Sequence, residues 1–83
     1  MMKEFEGNQP ELDEKTFLAD GARVIGAVKM KEFSSIWCNA VARGDVARIE
    51  VGRYSNVQDN AVLHVADDHP CILGDFVTVG HSA

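Results

Sequence analysis

Residues 51–63 read Val51-Gly52-Arg53-Tyr54-Ser55-Asn56-Val57-Gln58-Asp59-Asn60-Ala61-Val62-Leu63, with an aliphatic side chain at every sixth place. Four places after Val51 and Val57 stand two small residues, Ser55 and Ala61. The same beat continues outward, through Leu18, Val24, Met30 and Ile36 on one side and Leu73 and Val79 on the other. The fifth-place partners there are Ala22, Val28, Ser34, Ala40, Val77 and Ala83, while Leu63 is followed by Asp67. Gly follows the aliphatic residue at Gly52, Gly74 and Gly80. A self-similar six-residue period is the signature of a hexapeptide β-helix, in which each repeat is one short strand stacked on its neighbours.

A strand rises about 3.3 Å per residue and neighbouring strands lie about 4.8 Å apart, so three hexads close one triangular coil of about 18 residues. The nine hexads therefore predict an all-β, parallel β-helix of about three coils over residues 18–83. Residues 1–17 carry Pro10 and a mixed-charge run (Glu11, Asp13, Glu14, Lys15) and read as an extended lead-in packed on the first coil. Two interruptions break the beat. Ile36 and Val51 are fifteen apart, with Val41-Ala-Arg-Gly-Asp-Val46 between them, and Leu63 and Leu73 are ten apart, with Ala66-Asp-Asp-His-Pro70 between them. Solenoids accept insertions at corners, where the stacked rungs stay undisturbed. Ala83 falls in mid-coil with no Gly or Pro stop, so the chain reads as the N-terminal part of a longer β-helix whose last rung needs a cover.

Composition narrows the function. Eighty-three residues make at most one domain, and 7% aromatic content suits an interior built from rows of small aliphatics. The net charge of −5, with no Lys/Arg cluster, argues against nucleic acid and anionic membranes as partners. No stretch is apolar enough to span a bilayer, and the start MMKEFEGNQP is not a signal peptide. Cys38 and Cys71 lie 33 apart without a CxxC context, which predicts reduced, non-nucleophilic thiols in a cytoplasmic protein.

Hexad position gives the histidines their meaning. His64 is the second residue of the hexad from Leu63, and His81 is the third residue of the hexad from Val79. Those hexads are two steps apart, so in a three-sided coil the two imidazoles lie on different faces and cannot ligate one ion within a chain. They can meet only where two parallel prisms pack side by side. A lone strand His is otherwise a solvated or packed side chain. A catalytic zinc takes three protein ligands, with Zn–N of about 2.0–2.1 Å and an open position for water. Two are found here, and the place one coil above His64 would be position 86, beyond Ala83.

In several stretches the chain resembles the γ-class carbonic anhydrase family. They are Ser35-Ile-Trp-Cys-Asn-Ala-Val-Ala-Arg-Gly-Asp45, Ile49-Glu-Val-Gly-Arg-Tyr-Ser-Asn-Val-Gln-Asp59, Val62-Leu-His-Val65 and Ile72-Leu-Gly-Asp-Phe-Val-Thr-Val-Gly-His-Ser-Ala83. The resemblance implies a left-handed parallel β-helix, a rare exception to right-handed crossovers, assembled as a homotrimer. Residues 1–83 would then lack the family's C-terminal coils and helix. The resemblance also implies a metal at each subunit interface, held by His64 and a later His of one chain and His81 of its neighbour. Zinc is the expected ion, although imidazole suits iron and cobalt as well. The implied reaction is reversible hydration of carbon dioxide to bicarbonate by a metal-bound hydroxide.

By the same resemblance, Arg43 and Asp59 form an intersubunit ion pair, Asp45 supports it, and Gln58 holds the metal-bound water or bicarbonate. Each has a plainer alternative: Arg43 with Asp45 as a solvated corner pair worth under about 1 kcal/mol, and Gln58 with Asp59 as turn residues. The family prototype's shuttle glutamates have no counterpart here. Asp67, Asp68 and His69 could relay protons in their place, or form only a polar corner loop. With two imidazoles per site, residues 1–83 alone are expected to show little hydratase activity. A hexapeptide acyltransferase using a His base and coenzyme A, and a catalytically silent trimeric scaffold, are the competing expectations.

Overall fold

The computed structural model describes all 83 residues and contains ten strands and no helix. They are β1 (Met2–Lys3), β2 (Glu11–Leu12), β3 (Phe17–Leu18), β4 (Arg23–Met30), β5 (Ser35–Ile36), β6 (Val41–Val51), β7 (Asn56–Val57), β8 (Val62–Leu63), β9 (Cys71–Leu73) and β10 (Thr78–Val79). Every strand pairing is parallel, and the registers sort into three faces. Face A stacks Met2, Val24, Ala42 and Leu63. Face B stacks Leu12, Met30, Val51 and Leu73. Face C stacks Leu18, Ile36, Val57 and Val79. Four rungs on each of three faces make four turns of a parallel β-helix, one more than the hexads alone suggest.

The extra turn has two sources. Residues 1–17 contribute β1 and β2, whose partners are the two halves of β4. The N-terminal amine donates to the Ala22 carbonyl, and the Val24 N–H donates to the Met1 carbonyl at 2.8 Å, so the chain enters the first rung at its first residue. The second source is Ala42, an ordinary inward residue one hexad after Ile36 that is too small to announce itself as an aliphatic beat. The three added residues therefore fall later, between Gly44 and Ile49, where the β4–β6 register shifts.

All insertions share one corner. From face A to face B the inward residues are ten apart in the first turn, six in the second, nine in the third and ten in the fourth. At the other two corners the step is always six. In seven of these eight corners a residue of positive φ stands at one fixed place: Gly21, Asn39, Asn60 and Ser82 between faces C and A, and Phe33, Tyr54 and Phe76 between faces B and C, while the first B–C corner turns at Lys15 without it. A left-handed backbone at one residue turns the chain tightly and leaves no slack for extra residues. In the second turn, where the variable corner has no insertion, Gly26 has φ +76 and any Cβ there would collide with the Gly44 carbonyl oxygen.

Left-handed φ is costly for bulky residues, on the order of 1–3 kcal/mol each. The aromatic corner offsets part of this by stacking. Phe33 and Tyr54 lie 5.0 Å apart and Tyr54 and Phe76 lie 5.2 Å apart, with Lys15 5.4 Å from the Phe33 ring centre.

The core is the column of inward aliphatics together with small residues at the corners. Val24, Ile36, Ala42, Ile49, Val51 and Val57 are fully buried, as are the corner residues Ala22, Ala40 and Ala61. Ser34 and Ser55 are buried too, because a hydroxyl can serve corner backbone. Ser34 Oγ donates to the Lys31 carbonyl at 2.6 Å. Ser55 Oγ donates to the Gly74 carbonyl at 2.5 Å and accepts from the Val77 N–H at 2.9 Å. No buried side-chain polar atom lacks a partner.

Ile36→Ala should lower stability by about 2–5 kcal/mol, read from the urea midpoint, because its neighbours above and below are held by backbone ladders and cannot collapse into the gap. A second expectation concerns acid. The Arg53 N–H (2.8 Å) and guanidinium (3.2 Å) hold the Asp75 carboxyl below its usual range, and Arg48 does the same for Glu50. Carboxyls depressed on folding contribute stability above the unfolded-state pKa and lose it as pH falls through the folded value. Stability should therefore decline on acidification below the ordinary carboxylate range, and Asp75→Asn should flatten that decline in urea titrations at stepped pH.

Candidate functional site

Face A carries one half of the candidate site. Ala42 and Leu63 point inward, so Arg43 and His64, each one residue later, point outward and stand one rung apart. Both are exposed. Together with Val41, Val62 and Ala83 they line an open cleft. Arg43 Nε lies 3.2 Å from Asp45 Oδ2, and Asp45 Oδ1 accepts from the Val46 N–H at 2.7 Å. The carboxylate is thus anchored at the start of the variable corner and steers the guanidinium along face A.

The other half lies on face C and on the corner between faces C and A. The register Val57↔Val79 puts Asp59 and His81 at the same place in successive turns, in a column that also holds Asp20 and Cys38. Backbone bonds tie this column together: the Asn60 N–H donates to the Cys38 carbonyl at 3.0 Å, and the Ser82 N–H to the Asp59 carbonyl at 2.9 Å. Gln58 sits beside it. Its Nε2 donates to Asn56 Oδ1, whose own amide donates to Thr78 Oγ1 at 3.1 Å. That relay orients the Gln58 amide and leaves Oε1 as a fixed acceptor.

Within one chain, then, the structure brings Arg43, Asp45 and His64 together and aligns Asp59 with His81, but it does not join the two groups. No three His, Cys, Asp or Glu side chains converge on a common point. As a donor set, the two exposed imidazoles lie on different parts of the prism, so a single chain does not bring them to one ion, and together they make two of the three protein ligands that a catalytic zinc takes.

Asp67, Asp68 and His69 lie elsewhere, on the insertion corner between faces A and B, across face A from His81. An isolated bridge pairs Ala66 with His69, and Asp68 has φ 57, so this is a tight turn exposed to solvent. His69 Nδ1 lies 2.6 Å from the Asp67 carbonyl oxygen. Cys38 and Cys71 are unpaired, and partial burial pushes the Cys71 thiol up, which keeps it protonated and a poor nucleophile at neutral pH. The valines of the cleft, Val41 and Val62, went unnoticed in the sequence. Their signal was their place, each directly before an inward residue that precedes a charged or basic side chain.

A carbonyl oxygen only accepts, so neutral His69 must carry its proton on Nδ1. Long-range 1H–15N spectra at alkaline pH should show this tautomer for His69; an Nε2–H pattern would mean that the turn does not hold the ring.

No protein-family model matches the chain. Curated relatives do. Gamma carbonic anhydrase 1, mitochondrial, of Arabidopsis thaliana is 48% identical over 80 residues, covering 89% of this chain and 29% of that protein. A carbonic anhydrase of Geobacillus kaustophilus is 42% identical over 81 residues, covering 98% of this chain and 44% of that protein. The chain thus spans less than half the length of these relatives. Among solved structures, a hexapeptide transferase family protein from Anaplasma phagocytophilum superposes with a TM-score of 0.91 at 43% identity, covering 98% of this chain and 47% of that one. Identity of this order across four stacked turns of six-residue repeats places the chain in the γ-class carbonic anhydrase family of hexapeptide-repeat proteins.

Proposed function

We propose that the chain is part of the β-helix of a γ-type carbonic anhydrase subunit that works as a homotrimer on carbon dioxide and bicarbonate, with little hydratase activity expected of residues 1–83 alone. One observation carries this. Each prism offers two complementary half-sites, Arg43 with His64 on face A and Asp59 with His81 at the C–A corner, that cannot meet within the chain. Threefold packing of one prism's face A against its neighbour's corner makes three identical sites from these halves. Such packing also explains why exposed charges sit in register with the histidines.

The assigned roles follow from chemistry. His64 and His81 of adjacent chains hold the metal, with zinc as the expected ion and iron or cobalt as alternatives. Bound there, a divalent ion supplies a water acidified to near neutral pKa. Arg43 pairs with Asp59 of the adjacent chain and so sets the separation of the two imidazoles, while Asp45 keeps the guanidinium in place. Gln58 presents Oε1 to a protonated substrate or water oxygen and fixes its orientation. His69, with Nδ1 engaged, leaves Nε2 to exchange protons with solvent beside Asp67 and Asp68.

A second function, acyl transfer, is favoured by the solved neighbour titled as a hexapeptide transferase. It predicts acetyl transfer from acetyl-coenzyme A without metal. A trimer with neither metal nor transfer would be a scaffold.

Subunit complementation separates these. His64→Ala and His81→Ala proteins should each assemble but bind no cobalt. Co-refolded in equal amounts, they should regain roughly a quarter of the wild-type cobalt absorption, because each mixed trimer rebuilds one interface with both histidines. Undiminished cobalt in either single variant would refute the shared site.

A further inference from the structure

We infer that Lys3 of one chain pairs with Asp20 of the next, two turns below the proposed Arg43–Asp59 contact, and that this pair fixes the vertical register of neighbouring subunits; the inference rests on the trimer proposed above. The ladder places it. Lys3, Ile25, Arg43 and His64 form one outward column on face A, because Lys3↔Ile25 and Ile25↔Arg43 are in register and His64 follows Leu63, the partner of Ala42. Asp20, Cys38, Asp59 and His81 form a second column at the C–A corner, each two residues after a face C rung. Both columns advance one place per turn. Lys3 therefore stands to Asp20 of a neighbour as Arg43 stands to Asp59 of that neighbour.

Facing the two columns gives complementary chemistry at every level. The first and third turns set a cation against a carboxylate, Lys3 with Asp20 and Arg43 with Asp59. The second sets half-buried Ile25, which shares a groove with Phe5, against the half-buried thiol of Cys38, itself a small hydrophobe. The fourth sets His64 against His81. Lys3, Asp20 and Asp59 also belong to no ion pair within the chain, whereas Arg48, Glu50, Arg53 and Asp75 around face B are paired internally. The charges of the two columns are left for a second copy.

The order of residues discriminates between registers. Sliding a neighbour by one turn in either direction puts Ile25 against a carboxylate, Asp20 or Asp59, and takes the carboxylate away from Arg43. A carboxylate covered by an aliphatic side chain without a partner is costly, so both slipped arrangements are disfavoured. A ring closed by threefold rotation has no vertical offset between neighbours, and any offset builds an open spiral. The Lys3–Asp20 pair thus selects the closed trimer, in which His64 and His81 of adjacent chains share a turn.

Sedimentation equilibrium of the chain and its charge-reversed variants tests the pair. Lys3→Glu or Asp20→Lys should raise the concentration at which the trimer half-dissociates roughly tenfold, since three interfaces each exchange an attraction for a repulsion. Lys3 and Asp20 are both exposed in the single chain, so neither reversal should disturb the fold, which circular dichroism checks. The double variant, Lys3→Glu with Asp20→Lys, should return to within about twofold of wild type, a recovery that general damage to the fold would not give. Glu14→Lys, exposed on the B–C corner and equal to Asp20→Lys in charge change, is the control and should assemble like wild type. Single reversals that assemble as well as the control, or a double variant no better than the singles, would overturn the pair and leave the trimer standing. A wild-type chain that stays monomeric at every concentration would overturn the pair and the trimer together.

Discussion

Everything in this molecule depends on vertical registration. A parallel ladder obliges each inward side chain to lie on the inward side chain of the preceding turn, about 4.8 Å below. Leu18, Ile36, Val57 and Val79 form one such column, and two more complete the prism. Because the side-chain period along a strand is two, a slip of one residue would turn an entire column outward. The register therefore tolerates additions only in whole corners, and every functional side chain inherits its direction from the nearest inward residue.

The corners divide the labour. Two of them are locked by a left-handed residue at a constant place, and the third absorbs all length variation. As a result faces C and A meet at an invariant edge, where Asp59 and His81 stand in one column, while the variable edge carries Asp45 and the Asp67–His69 turn. The proposed site between subunits needs its two halves at fixed separation, and the invariant edge would supply one of them. Phe33, Tyr54 and Phe76 show how such a lock is tolerated without glycine, since the stacked rings return part of the cost of positive φ.

The relative placement of the candidate residues was legible in the sequence. Counting hexads was enough to put His64 and His81 on different faces, and the ladder agrees. Arg43 with Asp45 is an ion pair within the chain, as the plainer expectation had it, yet the guanidinium also borders the cleft that contains His64. The outward pairing of Val41 with Val62 was not legible. A valine in a strand reads as ordinary β propensity, and only the ladder shows that Val41 and Val62 are stacked and face outward beside the imidazole.

By itself the sequence determined the six-residue period, the all-β parallel class and the separation of the two histidines, because all three follow from spacing along one strand. The tertiary structure decided the number of turns, the first-turn role of residues 1–17 and the single corner that takes every insertion. Met2, Leu12 and Ala42 are unremarkable as letters: two sit in a charged, irregular-looking segment and the third has one methyl. Leu12 and Ala42 become inward rungs, and Met2 a largely exposed end rung, only because a partner in the adjacent turn accepts the backbone, a contact across 18 or more residues that no local pattern records.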